Sequence, residues 1–331
     1  MSFEVKKVAV LGTGVMGGQI AAHISNADIE VLAFDMDQET AEKGLKAAQE
    51  IKPAAFYNKK NASLITPLNY KDHISRISEC DWIVEAISER IDWKKDLYSK
   101  VSEHLSENAV LTSNTSGISL NELSEDMDEN LKNRFFITHF FNPPRYMKLV
   151  EIIYPDNINK DLMNVVIDIL ENDLGKGVVH AKDTPNFIAN RIGVFGMMKV
   201  LEVAKKMKLS VEDIDFFTGS LIGRPKSGTF RTADIVGLDT MVYVGKTAYD
   251  KCQDDESRET FKLPDYIQTM IDNNWLGQKS GQGFYKKIEK GVIHSINLET
   301  LEYAPQNKKK YPGVRLAKEY VSLNDRIKKL I

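Results

Sequence analysis

KVAVLGTGVMGGQIAAHIS, Lys7 to Ser25, joins a short apolar run to a stretch of helical spacing through a glycine-rich turn. Within it, Gly12-Thr13-Gly14-Val15-Met16-Gly17 forms a GxGxxG pattern in the setting that pattern requires, after a strand and opening a helix. The first glycine permits the tight turn, the second lets backbone approach a pyrophosphate, and the third lets helix pack on strand. The helix N-terminus offers its N–H groups to the anion. Alone the pattern is weak, because glycine-rich turns also serve structural ends. It gains force from Asp35, which ends the next apolar run, EVLAFD, 18 residues past Gly17. The carboxylate that holds an adenosine ribose is expected about 20 residues on. A carboxylate there accepts from the ribose diol and repels a 2′-phosphate, so the expected cofactor is NAD rather than NADP.

Outward from this unit the alternation continues, with apolar runs DWIVEAI, AVLTSNTS and FFITHFF separated by amphipathic stretches. Continuous apolar strands interleaved with helices predict a parallel sheet covered on both faces, and right-handed crossovers make it doubly wound. Between Asp35 and Trp82 the reading assigns a helix (QETAEKGLKAAQEI) and no strand. After LVEII come a helix (NKDLMNVVIDILEND) and a glycine-bounded strand (GKGVVHAK). Asp183-Thr184-Pro185 then reads as a helix start, with Thr184 as N-cap and Pro185 at the first helical position. The expected organisation is an α/β, doubly wound (Rossmann) domain over residues 1–185 and a mostly helical domain over 186–331. The next convincing strand is GQGFYKK. The tail carries a hairpin pattern (VIHSINLETLEYA) and a lysine-rich finish whose role the sequence does not disclose.

A chain of 331 residues accommodates two domains, and 42% hydrophobic residues is ordinary for a globular protein. A formal charge of -3 gives no global reason to expect nucleic acid or a membrane surface as partner. Cys80 and Cys252 stand alone, and no pair of histidines has metal-ligand spacing, so neither a disulfide framework nor a metal is expected. MSFEVKKVAVLG has no secretory pattern, and no apolar run reaches membrane-spanning length; a cytoplasmic protein is expected.

Ligands of doubly wound sheets lie at the carboxyl ends of the strands, which turns attention to Glu89 and Lys94 after DWIVEAI and to Ser113, Asn114 and Ser116 at the end of AVLTSNTS. Taken singly, the charges read as solvated and the Ser/Asn cluster as a turn. His139 differs from the other histidines because it ends a strand beside the cofactor. If the chain doubles back across Asn142-Pro143-Pro144-Arg145, the midpoint of His139 and Glu151 falls at Arg145, and the two side chains stand opposite each other. Glu151 would then fix the imidazole tautomer while His139 exchanges a proton with a substrate hydroxyl.

With these residues in hand, the chain resembles the 3-hydroxyacyl-CoA dehydrogenase family in GxGxMG at Gly12 to Gly17, VEAISE, SNTS, HFFNPPRYMKLVEII, KDTPNFIANR, GLD and GxKSGxGFY. The likeness is greatest to the amino-terminal dehydrogenase part of long bacterial multifunctional fatty-oxidation enzymes. The resemblance implies NAD-dependent oxidation of (S)-3-hydroxyacyl-CoA to 3-ketoacyl-CoA, with His139 as base, Glu151 as its orienting partner, Ser116 as donor to the substrate oxygen and Asn190 completing the site. It places Glu89 and Lys94 near the nicotinamide ribose, while Asn114 is expected at the cofactor from its place at a strand's carboxyl end, and it implies a homodimer paired through the helical domain. Two departures stand out. The segment before Trp82 differs from the helical clamp of the short mitochondrial-type enzymes, and Gly223-Arg224-Pro225-Lys226-Ser227-Gly228-Thr229-Phe230 replaces a Gly-x-Pro-Met-Gly-Pro-Phe run. The alternatives are a dehydrogenase of a free hydroxy acid or sugar acid, and a non-catalytic NAD-binding relative.

Overall fold

The computed structural model describes residues 3–307, 311–317 and 319–330. The lysine run at 308–310, part of the lysine-rich finish, lies outside them. The chain forms two compact units, Met1–Ile188 and Ala189–Ile331.

The first unit is built on eight strands: β1 (Lys7–Leu11), β2 (Glu30–Asp35), β3 (Ile65–Asn69), β4 (Trp82–Glu85), β5 (Val110–Ser113), β6 (Phe135–Phe140), β7 (Leu149–Ile153) and β8 (Gly177–His180). Their order across the sheet is β3-β2-β1-β4-β5-β6-β7-β8; β1 to β6 run parallel, and β7 runs antiparallel to β6 with β8 parallel to β7. The central strands are buried on both faces, which is why they read as unbroken apolar runs. Helices α1 (Val15–Ser25) and α2 (Gln38–Glu50) cover one face together with Leu162 and Val166 of a later helix. Leu97 and Val101, with Leu120 and Leu123, cover the other. The order reverses at β1, between β2 and β4, so a crevice opens at the carboxyl ends of β1 and β4.

Two features differ from the sequence reading. The strand β3, ITPLN, escapes notice because Pro67 interrupts it. It is tolerated because β3 is the sheet edge, pairing with β2 alone. The helix expected from Thr184 begins instead at Ala189. Asn186 and Phe187 hold φ of 64° and 51°, left-handed values that cannot belong to the first turn of a right-handed helix. Asp183 is occupied elsewhere, accepting from Ser119 Oγ at 2.6 Å and Leu120 N at 2.9 Å.

The remaining helices of the first unit are α3 (Tyr70–His73), α4 (Ile91–Ser102), α5 (Leu120–Ser124), α6 (Glu129–Lys132) and α7 (Lys160–Asp168). The second unit contains α8 (Ala189–Lys206), α9 (Val211–Thr218), α10 (Phe230–Val236), α11 (Leu238–Lys251) and α12 (Asp265–Asp272) around an apolar core that includes Leu201, Phe230, Met241, Ile267 and Phe284. A three-stranded antiparallel sheet follows, β9 (Tyr285–Glu289), β10 (Val292–Ile296) and β11 (Tyr303–Pro305); its β10–β11 pair is the tail hairpin anticipated from the sequence. Two short helices, α13 (Pro312–Ala317) and α14 (Leu323–Leu330), end the chain.

The GxKSGxGFY motif acquires a structural meaning in this unit. Asp234 accepts from the backbone N–H groups of Phe284 and Tyr285, both at 2.8 Å. A Cβ on Gly283 would stand 2.1 Å from its carboxylate, and one on Gly277 2.3 Å from its carbonyl oxygen. The glycines exist to let this loop close on a buried aspartate. Among the described residues no helix is long and apolar enough to cross a membrane, and no cluster of His, Cys, Asp and Glu could hold a metal ion.

Candidate active site

The glycine turn is shaped by close approach. Gly12 has φ +94°, and a Cβ on Gly17 would stand 1.8 Å from the Gly12 carbonyl oxygen, so neither position admits a side chain. Gly14 precedes α1 with no side-chain cap, which leaves the helix N-terminus facing the crevice with Val15 exposed beside it and Met16 half-buried. At the end of β2, Asp35 accepts from Thr13 N and Thr13 Oγ1, each at 2.7 Å, and from Met36 N at 2.8 Å. Gly12, Gly14, Asp35 and Met36, with Tyr70, Ala86, Ile87 and Trp93, line a cavity of about 630 Å³. Its size, the absence of Cβ atoms under the turn, and the strand-end carboxylate suit the adenosine half of a dinucleotide. Tyr70 stacks on Phe34 with planes 13° apart, giving the cavity an aromatic wall that the sequence did not announce because β3 and α3 were unread.

Beside this cavity lies a buried charge network. Lys94, on α4, is 1% exposed and donates to Glu85 at 2.6 Å, while Glu89 lies 3.5 Å away. Glu85 also accepts from Tyr98, from Ser113 Oγ at 2.6 Å and from Ile87 N at 2.8 Å. Lys94 is thus no solvated helix charge, and Glu85, unremarked in the sequence, is the hub. Glu89 precedes α4 and turns toward the loop after β5. It accepts from Thr115 Oγ1 at 2.7 Å, Ser116 N at 2.8 Å, Ser116 Oγ at 3.2 Å and Gly117 N at 3.1 Å. Asn114 spans to the next strand, accepting from Phe140 N at 2.9 Å. The Ser116 loop and the end of β6 are therefore tied to one strand edge.

The hairpin argument is realised in β6 and β7. His139 pairs in register with Glu151, and His139 Nδ1 lies 2.8 Å from Glu151 Oε2. Both residues are buried, at 4% and 0% exposure, so the bond is shielded from water. A carboxylate facing Nδ1 accepts its proton, which makes Nε2 the nitrogen with the lone pair. Glu151 Oε1 accepts from Ile188 N at 3.0 Å, fixing the carboxylate from its other side. Phe141 and Phe187 flank the imidazole at ring distances of 4.3 and 5.7 Å.

The turn joining these strands is held from beneath. Buried Lys176 donates to the carbonyl oxygens of Pro144 and Met147, the latter at 3.0 Å, and desolvation lowers its pKa to about 8. Arg145 donates to Ala54 O and Phe56 O, both at 2.7 Å, binding the segment after α2 to the same turn. Gln19 of α1 reaches Asn142 at 3.2 Å. Sequence reading passed over Lys176 because a lysine beside a glycine reads as solvated. His23, buried at 1% exposure, has its pKa lowered to about 3, first by desolvation and then by the nearby Lys176 charge. Of the four residues that the resemblance assigned to chemistry, three lie in the first unit, while Asn190 is the second residue of α8 in the second.

Comparison with known proteins agrees along most of the chain. The family model for the 3-hydroxyacyl-CoA dehydrogenase NAD binding domain matches residues 7–184, and that for the 3-hydroxyacyl-CoA dehydrogenase C-terminal domain matches residues 187–287. A Bacillus subtilis protein described as "Probable 3-hydroxyacyl-CoA dehydrogenase" is 42% identical over 352 residues, covering 100% of this chain and 44% of that protein. A Deinococcus radiodurans protein of the same description is 40% identical over 293 residues, 86% of this chain and 84% of that one. Among solved structures, (S)-3-hydroxybutyryl-CoA dehydrogenase PaaH1 from Ralstonia eutropha is similar with a TM-score of 0.71 at 26% identity, covering 85% of this chain and 98% of that one. The chain spans less than half the length of the Bacillus relative and most of the Deinococcus one.

Proposed function

This chain belongs to the 3-hydroxyacyl-CoA dehydrogenase family, and we propose that it oxidises an (S)-3-hydroxyacyl-CoA to the 3-ketoacyl-CoA with NAD, in fatty-acid β-oxidation or related acyl-CoA metabolism. Its first unit is the family's NAD-binding domain. The observation that carries the reading is the buried pairing of His139 Nδ1 with Glu151 Oε2 at 2.8 Å.

Oxidising a secondary alcohol requires loss of a proton from oxygen and of a hydride from carbon. His139 Nε2, with its tautomer set by Glu151, accepts the hydroxyl proton, and the buried carboxylate stabilises the imidazolium that results. Ser116 donates to the substrate oxygen, and Asn190 serves as a further donor to it. Bound NAD supplies the hydride acceptor. Gly12, Gly14 and Gly17, with the N-terminus of α1 at Val15 and Met16, hold its pyrophosphate, and Asp35 takes the adenosine ribose. Glu89 and Lys94, with Asn114, border the nicotinamide end. A general base of this kind contributes roughly 10²- to 10⁴-fold in rate.

The helical second unit is assigned to substrate binding and to pairing in a homodimer, and the cytoplasm is the expected compartment. A mass that stays monomeric at every concentration in sedimentation would reject the dimer. The substrate class is tested by a panel of 3-hydroxyacyl-CoAs beside free 3-hydroxy acids and sugar acids, following NADH. Turnover confined to the thioesters supports this reading, and turnover confined to the free acids overturns it.

A further inference from the structure

The pairing of His139 with Glu151 is set across a long connection. Eight residues, 141–148, join β6 to β7, whereas hairpins that fix their own register do so most often with two-residue turns. A slip of one residue would turn Glu151 to the other face of the sheet, away from the imidazole. Within the connection, Tyr146 N and Met147 N donate to Pro143 O, both at 3.0 Å, which shapes a turn without fixing the strands on either side of it. The register therefore needs a hold from outside the hairpin.

Lys176 supplies one. It immediately precedes β8, in which Gly177 pairs with Leu149 and Val179 pairs with Glu151, and Gly177 N donates to Lys148 O at 2.8 Å. Its backbone is thus fixed to the strand that carries Glu151, while its side chain reaches into the connection. There the ammonium donates to Pro144 O and to Met147 O, and it lies 6.0 Å from the centre of the Phe140 ring, next in sequence to His139. Lys176 is buried, and a buried ammonium is costly unless its donors are used. Both partners are backbone carbonyls of the connection rather than a carboxylate that would neutralise the charge. A lysine kept in the interior on such terms is spent on the geometry of the turn.

We propose that Lys176 is a positioning residue: by tying Pro144 and Met147 to the start of β8, it keeps β6 and β7 in the register that sets His139 Nδ1 against Glu151 Oε2. It acts through that pair and touches neither substrate nor cofactor. The kinetic part of its test rests on the proposed oxidation, and the spectroscopic part does not.

The test compares Lys176→Met, which keeps the apolar stem without its donors, with Lys176→Arg, which keeps a cation, in the full chain and in its Glu151→Gln form. With 3-hydroxybutyryl-CoA, Lys176→Met is expected to lower kcat about 10- to 100-fold, as misplacement of a reacting group by about 1 Å does, with KM and NAD affinity nearly unchanged. Lys176→Arg is expected to recover most of that loss. In the Glu151→Gln background, Lys176→Met is expected to cost about twofold or less, because the pair it acts through is already broken. The Nδ1–H proton of His139, identified in the downfield ¹H NMR spectrum by its loss in His139→Gln, is expected to shift or broaden in Lys176→Met and to return in Lys176→Arg. Should Lys176→Met fail to fold, Lys176→Gln carries the same expectations. An unchanged Nδ1–H signal, a rise in KM at constant kcat, or the same loss of kcat in both backgrounds would each overturn the proposal. A parent chain that turns over no thioester would reject the proposed oxidation and leave the NMR comparison to decide on Lys176.

Discussion

Glu85 and Lys94 form an ion pair at 2.6 Å with exposures of 0% and 1%, in the interior of the first unit. Replacing one partner of such a pair strands the other charge in a medium that cannot solvate it. Lys94→Met is therefore expected to lower the unfolding free energy by about 3–5 kcal/mol, while Glu85→Gln/Lys94→Met together cost less than the two single changes summed. Urea denaturation of the three variants measures this. Additive costs would show that the two groups do not act as a pair.

Gly17 sits where a Cβ would stand 1.8 Å from the Gly12 carbonyl oxygen. Since backbone cannot yield as a side-chain tip can, Gly17→Ala is expected to spread the turn and destabilise the fold by about 1–3 kcal/mol. NAD affinity, followed by quenching of protein fluorescence, should fall with it. A variant that binds NAD as the parent does would show that the turn does not hold the pyrophosphate.

Buried His23 titrates at about 3 in the fold against an ordinary 6.5. Because the folded value is depressed, the unfolded chain binds more protons between these limits, and stability rises with pH across them. The contribution is present in full above pH 6.5 and is lost as pH falls toward about 3. His23→Leu is expected to flatten the dependence of Tm on pH in that window relative to the parent. Parallel curves for the two proteins would assign acid sensitivity to other groups.

Glu151 meets His139 through one carboxylate oxygen and the Ile188 N–H through the other. Glu151→Gln keeps the size of the group but removes the charge that stabilises an imidazolium. Its expected effect is a fall in kcat of about 10²- to 10⁴-fold with little change in KM, read by steady-state kinetics on 3-hydroxybutyryl-CoA. A rise in KM at constant kcat would assign Glu151 to substrate binding instead.

What was legible in the sequence follows from how local each signal is. The Gly12–Gly17 turn and Asp35 announce themselves because strand, turn and helix are contiguous. The His139–Glu151 register could be read because a proline turn places its midpoint at Arg145. Elements whose logic is nonlocal stayed hidden. The edge strand β3 carries a proline that only an edge tolerates. Lys176 looks like a surface lysine until the carbonyls of Pro144 and Met147 are brought to it. The delayed start of α8 depends on left-handed Asn186 and Phe187, which no capping rule anticipates. Glu85 reads as one more charge at a strand end, and only the folding of α4 over it makes it the centre of a network.

The most direct test of the central claim is the rate of NADH formation from 3-hydroxybutyryl-CoA by the parent chain and by His139→Gln, with NAD and with NADP. The expected result is turnover that prefers NAD and falls by about 10²- to 10⁴-fold or more in the variant, with NAD affinity retained. Equal rates in parent and variant would contradict the assignment of His139 as the base.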